Sequence, residues 1–228
     1  MNLNIITSHP NIFTNFLNES IIKRAQEKKI VKINIFNLRN WAQDKHNTID
    51  DAAYGIGHGM ILKPDVIDRA LYEIKNKHLD AKHLDAKILL TSPKGKIFDQ
   101  SIANKYAKIS NLIIVCGHYS GVDERVVKLV DETISIGNFV MTGGEIPAMA
   151  IADTIIRLLP KVINKQSLAN ETHSSSKMMQ YPQYTRPRSF IPSSINKKAP
   201  LEVPKILLSG NHEKIAKWQK NNLKFNKL

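Results

Sequence analysis

CGHYSGVDERVVKLVDETISIGNFVMTGGEIPAMAIADTIIR, residues 116–157, alternates glycine turns with a strand-like run, TISI, and an apolar helical run that opens at Glu145. Five of the chain's ten glycines, Gly117, Gly121, Gly137, Gly143 and Gly144, crowd into 28 of these residues. Glycine lets backbone donors approach a ligand closely, so glycines gathered at turns inside an apolar core mark a binding site.

Outward from this stretch, short β-rich runs alternate with helical periods. LNIIT near Leu3, VKINIF near Val31, AKILLT near Ala86, NLIIVC near Asn111 and TISI near Thr133 read as buried strands. Residues 11–28, 64–77, 123–130 and 145–159 read as helices, with Pro64 in a first turn that tolerates it. Alternation of this kind predicts an α/β fold: a largely parallel sheet with helices on both faces. The glycine turns TSPKG, CGHYSGVDE and SIGNFVMTGGE then fall at the carboxyl ends of strands, where crevices form in open α/β sheets.

The chain has 228 residues, 42% hydrophobic and 23% charged, enough for one sizeable core and a small annex. Its 33 Lys and Arg against 20 Asp and Glu leave a net charge of +13, which favours a polyanionic partner such as RNA. The single cysteine, Cys116, sits in an apolar run and excludes a disulfide framework; a reducing, cytoplasmic setting is expected. No run of 18 uncharged apolar residues occurs, so no membrane association is expected. The duplication HLDAKHLDAK, residues 78–87, reads as a solvated insertion at a helix end. Its histidines are five residues apart, off one helical face, and no metal site is expected there or elsewhere.

After Pro160 the sequence turns polar and serine-rich, and residues 161–180 read as a flexible linker between a first domain, 1–160, and a small C-terminal module, 181–228. That module interleaves Arg186, Arg188, Lys197, Lys198, Lys214, Lys217 and Lys220 with Tyr184 and Trp218, a pattern suited to phosphates and stacked bases. No GxGxxG follows the first strand, no GxxxxGK(S/T) occurs, and no GxSxG is present, so dinucleotide, P-loop and serine-hydrolase chemistry lack their signatures. Cys116 and His118, two residues apart at a strand end, make no triad by themselves.

TIDDAAYGIGHGM (48–60), TSPKG (91–95), the block 116–157, YPQYTRP (181–187) and VPKILLSGNHEKI (203–215) occur in an order that resembles the TrmD family of bacterial tRNA (guanine-37-N1)-methyltransferases, members of the knotted SPOUT class. The resemblance implies a homodimer, a trefoil-knotted parallel sheet and a small, mainly helical C-terminal domain that is shorter than the family's. It implies methyl transfer from S-adenosyl-L-methionine to guanine 37 of tRNA, with DNA not expected as a partner.

Carried over residue by residue, the cofactor loops are Leu90, Thr91, Ser92, Pro93 and Gly95; Gly117, Tyr119, Ser120 and Gly121; and Ile136, Gly137, Asn138, Phe139, Val140, Met141, Gly143 and Gly144. Asp50, Tyr54, Gly55, His58, Gly59, Arg186, Asn211 and His212 match positions that contact tRNA, and Arg157 matches an arginine near the target guanine. The base that takes the guanine N1 proton is an aspartate of the family's linker. Here NETHS offers Glu171, while gap-free alignment places Thr172 at that position. Assistance by Mg2+ stays open. The family's YGGGPGM reads YGIGHGM and its GRYEG reads GHYSG, so Ile56, His58, His118 and Ser120 depart from the pattern. On Ser120, His118 and Thr172 a second reading stays open: an RNA-binding protein that keeps the fold without methyl transfer.

Overall fold

In the computed structural model, residues 1–55, 59–79, 86–164, 178–194 and 199–225 are described. The chain divides into two units, Met1–Asn164 and Lys165–Leu228.

The first unit is built on strands β1 (Asn2–Thr7), β2 (Lys32–Asn37), β3 (Asp50–Ala52), β4 (Met60–Leu62), β5 (Lys87–Ile97), β6 (Asn111–Cys116) and β7 (Glu132–Ser135). Five of them form one parallel sheet in the order β2-β1-β6-β5-β7. All six residues of β6 are buried, as expected of an apolar run at the centre of a parallel sheet. Side chains alternate across it. Leu112, Ile114 and Cys116 enter one core with Leu3, Ile5 and Leu89, whereas Ile113 and Val115 enter a second with Ile6, Ile88 and Leu90.

Helices cover both faces. Between the strands lie α1 (Thr14–Asn18), α2 (Ser20–Glu27), α3 (Pro64–Lys77), α4 (Gln100–Tyr106) and α5 (Glu145–Ile156). The first core takes Ala148, Ile151, Ala152, Ile155 and Ile156 of α5 together with Ile22 and Ala25 of α2. The second takes Val66, Ile67, Ala70, Leu71 and Ile74 of α3, an i, i+3, i+4 stripe. Each fully buried isoleucine contributes about 1.5–3 kcal/mol, so the three on α5 anchor that helix, and the loop before it, against the sheet.

Several elements depart from the sequence reading. The helix expected over residues 11–28 is a 3-10 turn, Pro10–Phe13, followed by α1 and α2. Asn18 Nδ2 donates to the Thr14 carbonyl at 2.8 Å and closes the first segment; Glu19 is extended and Ser20 has a left-handed φ of 49°. The helix expected over 123–130 is a 3-10 turn, Glu124–Leu129, started by Asp123, whose side chain accepts the Arg125 N–H at 2.9 Å. α4 and the hairpin β3–β4 are additions that periodicity does not reveal, being too short to show a period. β5 does not stop at Thr91: Thr91 and Lys96 both pair with Ile134, so Ser92–Gly95 bulges out of a strand that resumes beyond it.

The second unit holds β8 (Met178–Met179), β9 (Ser189–Phe190), β10 (Leu201–Glu202), a 3-10 turn (Lys205–Leu208), α6 (His212–Asn221) and β11 (Lys224–Phe225). β9 pairs with β10 and β8 with β11, both antiparallel. The described residues of this unit hold these short strands, the 3-10 turn and one α-helix. Met178–Met179 falls inside the stretch expected as linker and is nonetheless a paired strand. Asn211 caps α6, accepting the Lys214 N–H at 3.0 Å, and Tyr184 lies 6.3 Å from Trp218, ring to ring.

Candidate active site

The bulge of β5 and the carboxyl ends of β6 and β7 open on a cavity of about 200 Å³. Thirteen of the seventeen expected cofactor residues line it: Thr91, Ser92, Pro93, Gly117, Tyr119, Ser120, Gly121, Ile136, Phe139, Val140, Met141, Gly143 and Gly144. Leu90 points its side chain into the core, Gly95 packs on the backbone of Ile134, and Gly137 and Asn138 lie outside the lining. His118, Val122, Ile134, Ser135 and Thr142 complete it.

Contacts between loops set its shape. Thr91 Oγ1 accepts the Gly117 N–H at 3.2 Å and donates to the Val115 carbonyl at 3.3 Å. The Gly144 N–H donates to the Gly117 carbonyl at 2.6 Å, and His118 bridges Gly143. A Cβ on Gly144 would strike Thr91 Oγ1 and come within 2.7 Å of the Gly117 nitrogen, so this glycine is required by a crossing of two loops. Not every glycine in these loops frees space for a ligand. Gly121 is the one that does: φ is 124° and nothing lies within 4 Å of its missing Cβ. Ser135 holds the third turn, donating to the Gly137 carbonyl at 2.8 Å, and the Phe139 ring covers Gly137. β4 clamps the middle loop from outside through Ser120 N–H to Met60 O and Leu62 N–H to Gly121 O, both 3.0 Å.

Among the described residues, no Lys, Arg, Asp or Glu lines this cavity. Lys94, although inside TSPKG, is outside it. An uncharged wall with backbone polar groups accepts a cationic ligand without placing a like charge beside it. Cys116 beneath it is fully buried; burial first, and the Glu145 charge second, push its thiol well above the ordinary range, so it stays protonated and inert.

A second cavity, about 590 Å³, adjoins through His118, Thr142 and Gly143 and reaches Ser8, His9, Asn37, Arg39 and Glu145. The Glu145 carboxylate is buried at the first turn of α5, with Oε1 accepting from Thr7 Oγ1 at 2.8 Å and Oε2 lying 3.2 Å from His118 Nδ1. Neither His9 nor Glu145 was suggested by any motif; the one signal is that His9 follows the carboxyl end of β1.

Of the remaining expected residues in the first unit, Gly59 lies against Ser120 of the cavity wall. Asp50 is half-buried in β3, Tyr54 is fully exposed, and Gly55 and Gly59 take positive φ. Arg157 caps the far end of α5, whose 12 residues carry it about 18 Å from the glycine crossing. Arg186, Asn211 and His212 are exposed in the second unit. His58, Ile56, Glu171, Thr172, Lys197 and Lys198 lie outside the described residues, as do residues 80–85 of the duplication.

The sequence profile of the family described as tRNA (Guanine-1)-methyltransferase TrmD matches residues 1–227. The chain belongs to the TrmD family. It is 45% identical over 219 residues to the tRNA (guanine-N(1)-)-methyltransferase of Mycoplasmopsis synoviae, covering 96% of this chain and 90% of that one. Identity is 46% over 220 residues to the protein of the same name from Fusobacterium nucleatum, covering 96% and 84%. It is 41% over 231 residues to that from Malacoplasma penetrans, covering 100% and 95%. The three glycine loops of the TrmD resemblance are thus the three loops that wall the first cavity.

Proposed function

We propose that this chain, a tRNA (guanine-N1)-methyltransferase by family, methylates N1 of guanine 37 with S-adenosyl-L-methionine as donor. The observation that carries the reading is the cavity at the β5 bulge and the ends of β6 and β7, whose described walls are uncharged and fit a cationic sulfonium ligand. Thr91, Ser92, Gly117, Tyr119, Ser120, Gly121, Ile136 and the 139–144 turn hold the donor. Bound there, it supplies an electrophilic methyl group.

The protein's own part is to hold guanine with N1 toward the cavity and to take its proton as the N–C bond forms. Glu171, or a group at the position of Thr172, takes that proton, and Arg157 holds a phosphate or base oxygen with its forked guanidinium. Arg157 stands a helix length from the glycine crossing of its own chain. That separation supports a homodimer in which each site draws on both chains. The close passage of the 117 and 144 loops supports the trefoil knot. The net charge of +13 and the exposed Arg186, Arg188, Lys214, Lys217 and Lys220 support tRNA docking by the second unit. Among the described residues no helix is long and apolar enough to cross a membrane, in keeping with a cytoplasmic tRNA enzyme. Mg2+ takes near-octahedral oxygen ligands, and among the described residues the two cavities offer Glu145 as their one carboxylate, so these residues do not fit it.

Incubation with methyl-labelled donor and transcripts carrying guanine or adenine at position 37 tests the reading. Label in the guanine transcript alone is expected. Donor binding without label in either transcript overturns transfer and leaves an RNA-binding protein; label at another base overturns the position.

A further inference from the structure

We propose that His9, His118 and Glu145 form a binding site for a divalent transition metal of the zinc class, adjoining the methyl-donor cavity through His118 and argued independently of the reading above. The three residues come from the loop after β1, the loop after β6 and the first turn of α5, and each places a ligand atom within 4.8 Å of the other two. His118 Nδ1 stands 3.2 Å from Glu145 Oε2 and His9 Nδ1 3.9 Å from Oε1. Ligands about 2.0–2.1 Å from one ion in tetrahedral array are separated by about 3.4 Å, so a small shift of His9 closes the set.

The surroundings match what such an ion needs. The Glu145 side chain is 4% exposed, and among the described residues its ion-pair partners are the two imidazoles, with no Lys or Arg. A buried carboxylate without a fixed cation is costly, and a bound dication removes that cost. Arg39, which lines the same cavity, is held instead by the Asn47 carbonyl at 3.1 Å and the Tyr119 hydroxyl at 3.3 Å. Thr7 orients Glu145 from behind at 2.8 Å, an outer contact of the kind that positions metal ligands, and the Ser8 hydroxyl, 2.8 Å from His9 Nδ1, gives way when that nitrogen takes the ion. The imidazole rings, 4.4 Å apart, would repel as two imidazolium ions but can share one metal as neutral ligands. His9 is half exposed at the mouth while Glu145 lies at the base, so the ion has an entry path and keeps a position for water. Two nitrogens and one oxygen select zinc, cobalt or nickel over magnesium or calcium.

Purified, metal-stripped full-length protein is titrated with Co2+ and then Zn2+, following visible d–d absorption, stoichiometry and thermal melting. The expected result is one Co2+ per chain with intense tetrahedral-type bands, bleached by Zn2+, and a raised melting temperature. His118→Ala and His9→Ala should each abolish the bands. His9 is at the exposed mouth, so its variant keeps the fold even if the other does not. Absence of Co2+ bands and of Zn2+ binding in the folded parent overturns the site, as does full retention of both in the His9→Ala variant.

Discussion

Gly144→Ala isolates the loop crossing that shapes the cavity. Gly144 has φ of −85°, which any residue adopts, so alanine there carries no backbone strain. By restricting the unfolded chain it would by itself stabilise the protein by about 0.4–1 kcal/mol. Against that, the new Cβ collides with Thr91 Oγ1 and lies 2.7 and 3.0 Å from the nitrogen and oxygen of Gly117, where carbon contacts normally begin near 3.5 Å. Thr91 is β-branched and held by hydrogen bonds at 3.2 and 3.3 Å, and Gly117 offers only backbone, so no side chain can turn aside. Overpacking of this kind costs about 1–3 kcal/mol, and the rigid surroundings put it at the upper end. The net expectation is a loss of about 2 kcal/mol by urea denaturation, with donor affinity by calorimetry down about tenfold as the 117 and 143 loops part. Gly121→Ala is the opposite case, with open space but φ of 124°, and its loss of about 1–2 kcal/mol comes from backbone strain. A Gly144→Ala variant as stable as the parent, with unchanged donor affinity, refutes the crossing.

Glu132 sets a pH dependence. Burial alone would raise its carboxyl, but hydrogen bonds from Lys87 (2.8 Å) and Tyr106 (2.8 Å), with Lys105 at 3.6 Å, leave it below its ordinary value. Its contribution is therefore present above the unfolded value of about 4.3 and lost as pH falls below it. Urea midpoints of parent and Glu132→Gln should differ at pH 7 and converge in acid; a constant gap would contradict this. At the other extreme, burial and then Glu132 push Tyr106 up, so stability linked to its phenol should fall as pH rises past about 10. Thr7→Val removes the buried donor to Glu145 and should cost about 1–3 kcal/mol by denaturation, more than a surface change. Phe139→Ala, at a ring 55% exposed over Gly137, should weaken donor binding in calorimetry while leaving the denaturation midpoint in place. A drop in both would make Phe139 part of the core.

What periodicity could carry, it carried. NLIIVC is buried at every residue because both faces of a central parallel strand are covered, and VIDRALYEI shows its buried stripe at helical spacing. The three glycine loops were legible for the same local reason, since their glycines stand out against apolar runs. The purpose of each glycine was not. Gly144 and Gly121 look alike in sequence, yet one meets another loop and the other meets open space, and that difference depends on what the chain brings alongside.

The same distinction accounts for His9 and Glu145. Glu145 reads locally as an acidic first-turn residue, favourable to the helix dipole, and His9 as a polar residue before a proline. Parallel pairing of β1 with β6 puts the residue after Thr7 beside the residue after Cys116, and the crossing at Gly144 delivers the start of α5 to the same spot. Register across a sheet is a long-range property, so a site assembled from two strand ends and a helix start has no spacing in the chain to betray it. The donor cavity was visible because each of its loops is separately unusual. The histidine–glutamate cluster is made of residues that are individually ordinary, and its chemistry exists only once β1, β6 and α5 are in place.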